Sequence, residues 1–64
     1  MIELRVFKQY ESMIHKIATN LDVVYDVTQD KENKNITVFL FDDIKDYTAV
    51  VNTAKQHLPK QQKQ

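Results

Sequence analysis

The alternation of apolar and polar residues predicts a strand at residues 2–7, near the start of the chain. Strict alternation over this length is typical of a strand with one buried face. One face carries three aliphatic side chains, Ile2, Leu4 and Val6, and the other carries Glu3, Arg5 and Phe7. We therefore expect the aliphatic side of this strand to lie against a core.

A helical period replaces the alternation over residues 8–20. Apolar residues recur there at the spacing of one helical face. They are Tyr10, Met13, Ile14, Ile17 and Leu21. Asn20 is expected to end this helix, because asparagine tolerates the left-handed conformation that often follows a last helical turn.

Residues 22–41 predict a β-hairpin, and its second strand, residues 35–41, is the most apolar stretch of the chain. In the first strand Val23, Tyr25 and Val27 alternate with Val24, Asp26 and Thr28. A three-residue loop at 31–33, with Asn33 left-handed, would place Tyr25 opposite Phe39 and Val23 opposite Phe41. That register turns the aromatic side chains toward the helices, whereas a two- or four-residue loop turns them away. The loop sequence favours the first register.

A second helix is predicted after residue 43. Asp42 and Asp43 suit a helix start, because aspartate caps the free N–H groups and favours the positive end of the helix dipole. One apolar stripe follows at Ile44, Tyr47, Val51, Ala54 and Leu58. Val50 lies off that stripe and is expected to be free for a contact. Pro59 ends the helix, and the polar residues 59–64 are predicted to form a disordered tail.

These elements give the order βαββα and an α+β fold class, with a single domain at residues 1–58. The predicted sheet has three strands in the order 2-3-1, with both helices on one face. The first strand, first helix and third strand are expected to form a split βαβ unit. This topology resembles a ferredoxin-like fold that lacks its last strand. The resemblance is one of topology, and no residue motif indicates a family.

Composition excludes several classes of function. The chain has 64 residues and neither cysteine nor glycine. Without cysteine there are no disulfides or thiolate metal sites, and without glycine there are no glycine-rich phosphate loops. A domain of this size buries only roughly 60% of its unfolded surface. A partner chain is therefore the first source of additional stability to expect.

The charge distribution predicts no strong affinity for phosphate. Residues 1–58 hold seven basic and nine acidic residues, a net charge of −2, and the tail adds Lys60 and Lys63. This is not the basic footprint of a nucleic-acid-binding domain. The N-terminal stretch does not resemble a signal peptide, and no apolar run is long enough to span a bilayer. A cytoplasmic location is expected.

No catalytic residue, cofactor or metal site is predicted. Asp42, Asp43 and Asp46 could supply oxygen ligands, but a capped helix start explains them better. His15 is predicted on the polar face of the first helix without a carboxylate partner, and His57 is explained by the helix end. The protein is accordingly predicted not to be an enzyme.

An alternative function is binding of RNA or single-stranded nucleic acid on the open sheet face. Aromatic side chains on central strands stack bases in the RNA-recognition fold. The candidate contacts are Phe7, Phe39, Phe41, Lys60 and Lys63. The missing glycines of that signature and the zero net charge favour core packing for the aromatic residues instead.

The leading hypothesis is a small protein-interaction or regulatory module that forms a homodimer through its sheet. An unpaired edge on the first strand and an apolar row on the open face both favour association. The predicted interface comprises Ile2, Leu4, Val6, Phe7, Val24, Ile36, Val38 and Leu40. A further protein partner is also expected. Small regulatory proteins of bacteria and phages are often built this way, and the content of lysine, asparagine and glutamine is compatible with an AT-rich genome.

Overall fold

The computed structural model describes residues 1–57 and confirms the predicted element order. The strands are β1 (Ile2–Phe7), β2 (Asp26–Gln29) and β3 (Ile36–Phe41), and the helices are α1 (Glu11–Asn20) and α2 (Ile44–His57). A 3₁₀ turn, Lys8–Tyr10, connects β1 to α1. Neither helix is long and apolar enough to cross a membrane. The predictions for Leu58, Pro59 and the tail 59–64 lie outside the described residues.

The three strands form one antiparallel sheet in the order β1-β3-β2, which is the predicted order. Ile2 pairs with Phe41 and Phe7 with Ile36 across β1 and β3, and Asp26 pairs with Leu40 across β2 and β3. The composition of the split βαβ unit was predicted wrongly. Its two parallel strands are β1 and β2, which flank β3, because β3 runs antiparallel to both.

The predicted hairpin register is wrong by two residues, although the predicted faces are right. Val27, not Tyr25, lies opposite Phe39. The connection is longer than three residues: the Asp30 amide donates to the Ile36 carbonyl at 3.2 Å, and the Ile36 amide donates to the Asn33 carbonyl at 3.1 Å. A shift of two residues preserves the side-chain alternation. Phe39 and Phe41 therefore still face the helices.

Helix α1 ends at Asn20 as predicted, but the left-handed residue that follows it is Asp22 and not Asn20. Asp22 has φ 58°, the only positive φ among residues 1–57. Its amide donates to Thr19 at 3.1 Å, and the amide of Val23 donates to Ala18 at 2.9 Å. These two bonds form a Schellman motif, which normally has glycine at the left-handed position. In a chain without glycine, aspartate occupies it.

The same motif explains why β2 begins later than predicted. The amide of Val23 is used by α1 and is not available to the sheet. The strand starts at Asp26, while Val23 and Tyr25 still pack against the core. Val24, which was predicted to lie on the open sheet face, precedes the strand and is 82% exposed.

The core lies between the sheet and both helices. Its buried side chains come from α1, β3 and α2: Ile14, Ile17, Ala18, Phe39, Phe41, Val50 and Ala54. Val50 was predicted to lie off the packed face of α2, but it is fully buried, whereas Ile44 is 58% exposed. The packed face is therefore rotated toward Val50. The start of α2 matches prediction, since Asp43 Oδ1 accepts the Lys45 amide at 2.9 Å.

Candidate interaction site

The outer side of β1 is an open sheet edge within residues 1–57. The amide of Lys8 donates to Asn35 on the side of β3 at 2.7 Å. Because backbone groups alternate in direction along an antiparallel strand, the even-numbered residues of β1 bond to β3. Glu3, Arg5 and Phe7 therefore direct their N–H and C=O groups outward. Such a row of groups is a template for another strand.

An apolar cleft opens beside this edge, on the side of the sheet that carries the helices. It has a volume of about 210 Å³ and is almost entirely apolar. Its walls are residues of β1, of the α1 side and of α2: Leu4, Val6, Tyr10, Met13, Ile14, Val51, Ala54 and Lys55. A chain paired with β1 would direct alternate side chains toward this cleft.

The opposite face of the sheet is less apolar than predicted. Ile36, Val38 and Leu40 point to this face, but Val38 is only 4% exposed and the other two are half-buried. In the sheet register Val38 lies between Arg5 and Thr28. The apolar row of β3 is thus narrow, and Arg5 and Thr28 flank it with polar side chains at Val38. The exposed Phe7 of β1 lies beside the row at Ile36.

Arg5 connects the edge strand to the hairpin turn across this face. Its guanidinium donates a hydrogen bond to Asp30 Oδ1 and lies 3.8 Å from Glu3 Oε1. The other oxygen of Asp30 accepts the amides of Glu32 at 3.1 Å and Asn33 at 2.8 Å. The hydrogen bond from Arg5, supported by these two amides, lowers the pKa of Asp30 below its ordinary value. Arg5 thereby helps to hold the observed turn, which differs from the predicted three-residue loop with a left-handed Asn33.

A second polar network ties α1 to the sheet and corrects the expectation that His15 has no partner. Its Nδ1 lies 2.6 Å from the Tyr25 hydroxyl, and its Nε2 lies 3.6 Å from Glu11 Oε2. The buried hydroxyl of Thr37 donates to Glu11 Oε1 at 2.9 Å. The His15 ring also contacts Phe39 edge-on, with ring centroids 5.1 Å apart.

This network pairs its polar groups with one another. A hydrogen on Nε2 directed at Glu11 leaves Nδ1 to accept the Tyr25 hydroxyl hydrogen, so the ring orientation satisfies both neighbours. The contact between Glu11 and His15 could have been predicted from sequence, because the two residues are four positions apart on a helix. The contacts with Tyr25 and Thr37 depend on tertiary packing and leave no local signal.

The residues predicted as an interface are divided between the two sides of the sheet. Ile2, Leu4 and Val6 are half-buried on the side of the helices. Phe7 and the three aliphatic residues of β3 lie on the open side, where Phe7 is 60% exposed. They do not form one patch. The feature that joins the two sides is the outer edge of β1.

The three phenylalanines predicted to contact nucleic acid are not brought together on one exposed face. Phe39 and Phe41 are completely buried against the helices and are unavailable for stacking with bases. Phe7 alone of the three phenylalanines is exposed. Lys60 and Lys63 lie outside the described residues.

Of the three aspartates near the start of α2, Asp43 caps the helix as described above, and Asp46 lies in its first turn. Among residues 1–57 there is no group of three side chains placed to hold a metal ion. Comparisons with protein-family models, curated proteins and solved structures gave no significant match. A function for this chain is therefore inferred from the geometry of its own residues.

Proposed function

We propose that this protein is a non-enzymatic interaction module that self-associates through the outer edge of β1. The observation that supports the proposal is the position of that edge directly beside the apolar cleft. An added strand would gain backbone hydrogen bonds from the edge and apolar contacts from the cleft. This combination is the basis of recognition by strand addition. The proposal includes a cytoplasmic location and a regulatory role of the bacterial or phage type.

Self-association also suits the small size of the core. Of the larger side chains in residues 1–57, only Phe39, Phe41, Ile14, Val50 and Thr37 are less than 2% exposed. Leu4 and Val6 remain half-buried on the edge strand. Each apolar residue that a second copy covers would add stability at roughly 25 cal/mol per Å² removed from water. For a small domain, a gain of this kind is a large fraction of the total free energy of unfolding.

The polar network around His15 supports a structural role for these side chains rather than a catalytic one. The Tyr25 hydroxyl and the imidazole are hydrogen-bonded to each other, and Glu11 satisfies the buried hydroxyl of Thr37. None of these four side chains lines the apolar cleft. We therefore propose that these four side chains hold α1 in place on the sheet.

The proposal is tested by light scattering combined with residue-resolved hydrogen exchange. We expect a dimer at micromolar concentration, with the outward amides of Glu3, Arg5 and Phe7 protected. The amides of Leu4 and Val6 bond to β3 and are internal controls, since they are protected in either state. A monomer at millimolar concentration, with rapid exchange at the three outward amides, would refute self-association through this edge.

A further inference from the structure

We infer that two copies join by antiparallel pairing of β1 with β1, about a two-fold axis at Leu4. In this register Glu3 of each copy lies opposite Arg5 of the other. The inference rests on the self-association proposed above and adds a specific register to it. The product is a continuous six-stranded sheet with four helices on one face.

The hydrogen bonding of β1 limits the registers available to such a dimer. Only Glu3, Arg5 and Phe7 direct backbone groups outward, and a hydrogen-bonded pair must consist of two outward residues. In three of the symmetric registers the two β1 strands then overlap over most of their length. Their axes pass through Glu3, Leu4 or Arg5.

Charge distinguishes these three registers. An axis at Glu3 places the two Glu3 side chains opposite each other, and an axis at Arg5 does the same for the two Arg5 side chains. Like charges directly opposite on a sheet are unfavourable. The axis at Leu4 instead creates two Glu3–Arg5 pairs. Both side chains are more than half exposed, so each is accessible to a second copy.

Apolar contacts agree with the same register. On the side of the helices, Leu4 meets Leu4 and Ile2 meets Val6 of the other copy, and all three are half-buried in the single chain. On the open side, Phe7 comes opposite Met1 of the second copy. These are exposed hydrophobic side chains, 60% and 77% exposed respectively. Sulfur–aromatic contacts of this type are favourable.

A charge-swap experiment tests the register. Glu3→Arg gives two Arg–Arg pairs and Arg5→Glu gives two Glu–Glu pairs, so each variant alone is expected to dimerise about 10-fold more weakly or worse at low salt. Mixing the two variants places arginine opposite glutamate at both positions. The mixture should therefore form a heterodimer close to wild-type affinity. Equal self-association of both variants and wild type would overturn the register.

Disulfide trapping provides a second test that does not depend on how Arg5→Glu folds. The chain has no cysteine, so Leu4→Cys introduces a single thiol. At the proposed axis the two Cα atoms are about 4.5 Å apart, within the range of about 4.4–6.8 Å for a disulfide. In the matched control Val6→Cys, the two positions are displaced by four residues, about 13 Å along the strand.

The outcomes separate the register from the proposed function. Oxidative cross-linking of Leu4→Cys but not Val6→Cys supports the register. A wild-type dimer in which Leu4→Cys fails to cross-link overturns the register and leaves self-association in place. A wild-type monomer in light scattering overturns both.

Discussion

The two outer strands of the sheet, β1 and β2, are both open edges within residues 1–57, but they differ in length and composition. β1 has six residues and alternates half-buried with exposed side chains, whereas all four residues of β2 are exposed. β1 directs three residues outward. In β2 only Val27 and Gln29 do so, because the amide of Asp30 bonds inward to β3.

This difference shows how one sheet can keep one edge available and the other protected. Natural proteins protect edges by making them short and by placing charged residues on them. β2 is short, begins with Asp26 and ends beside the turn organised by Asp30. β1 has charged residues too, but Glu3 and Arg5 have opposite sign and are complementary in a two-fold pairing.

The largest predicted effect is at β3, the strand that both edges share. Phe39→Ala removes a completely buried ring and should lower the free energy of unfolding by about 3–5 kcal/mol. Urea unfolding measures this change. Val27→Ala, at the paired and partly exposed position on β2, is the control and should cost about 1 kcal/mol or less. A folded Phe39→Ala variant of nearly normal stability would contradict this account of the core.

The next effect should distinguish the two edges directly. Glu3→Pro removes an outward N–H from β1, and Gln29→Pro removes one from β2, while neither removes a bond to β3. Glu3→Pro should weaken dimerisation by about 30-fold or more, because a carbonyl in each copy loses its donor. Gln29→Pro should leave dimerisation unchanged. Sedimentation measures dimerisation of both variants. Loss of the dimer in Gln29→Pro alone would show that the interface lies at β2 and not at β1.

A smaller effect should appear as a dependence of stability on pH. Because the pKa of Asp30 is lower in the folded chain than its ordinary 3.8, the contribution of its ionised form to stability is fully present only above about pH 5. As pH falls toward the folded pKa, the unfolded chain binds a proton first and stability decreases. Arg5→Gln should reduce this acid-dependent loss. Thermal unfolding from pH 2 to 6, at concentrations where both proteins are monomeric, measures the difference, and identical pH profiles would exclude the Arg5–Asp30 contribution.

The smallest effect is predicted at the residue that leads from α1 toward β2. Asp22→Gly relieves a positive φ but also makes the unfolded chain more flexible. We expect a net stabilisation of about 0.5 kcal/mol, seen as a small rise in Tm. Asn20→Gly is the matched comparison. That residue is helical, so the change should be destabilising by about 0.5–1 kcal/mol. The reverse order would place the left-handed residue where the sequence first predicted it.

Much of the fold could be predicted from side-chain periodicity, because burial imposes it on each element separately. The alternation in β1 and the apolar run of β3 predicted their positions to within one residue. The turn was different. Its length depends on Asp30, which accepts two local amides and also the distant Arg5. The contact between Arg5 and Asp30 cannot be predicted from a local sequence pattern, because the two residues are far apart in the chain.

The candidate site was predictable only in part. An unpaired edge on β1 follows from the strand order alone. The apolar cleft does not, because it depends on how α2 packs: Val51 lines the cleft while Val50 enters the core. The apolar stripe predicted from sequence placed Val51 on the packed face of α2 and Val50 off it. The periodic pattern tolerates both assignments, because apolar residues occupy both positions.

The hydrogen bond between Arg5 and Asp30 has a consequence for signalling within the sheet. Arg5 belongs to the edge strand, whereas Asp30 organises the turn beyond the opposite strand. A partner that draws Arg5 toward its own carboxylate competes with Asp30 for the same guanidinium. By thermodynamic reciprocity, breaking the Arg5–Asp30 hydrogen bond would then favour the partner, and the partner would weaken that bond by the same free energy. In such a complex, the order of the hairpin turn would depend on whether the outer edge of β1 is occupied.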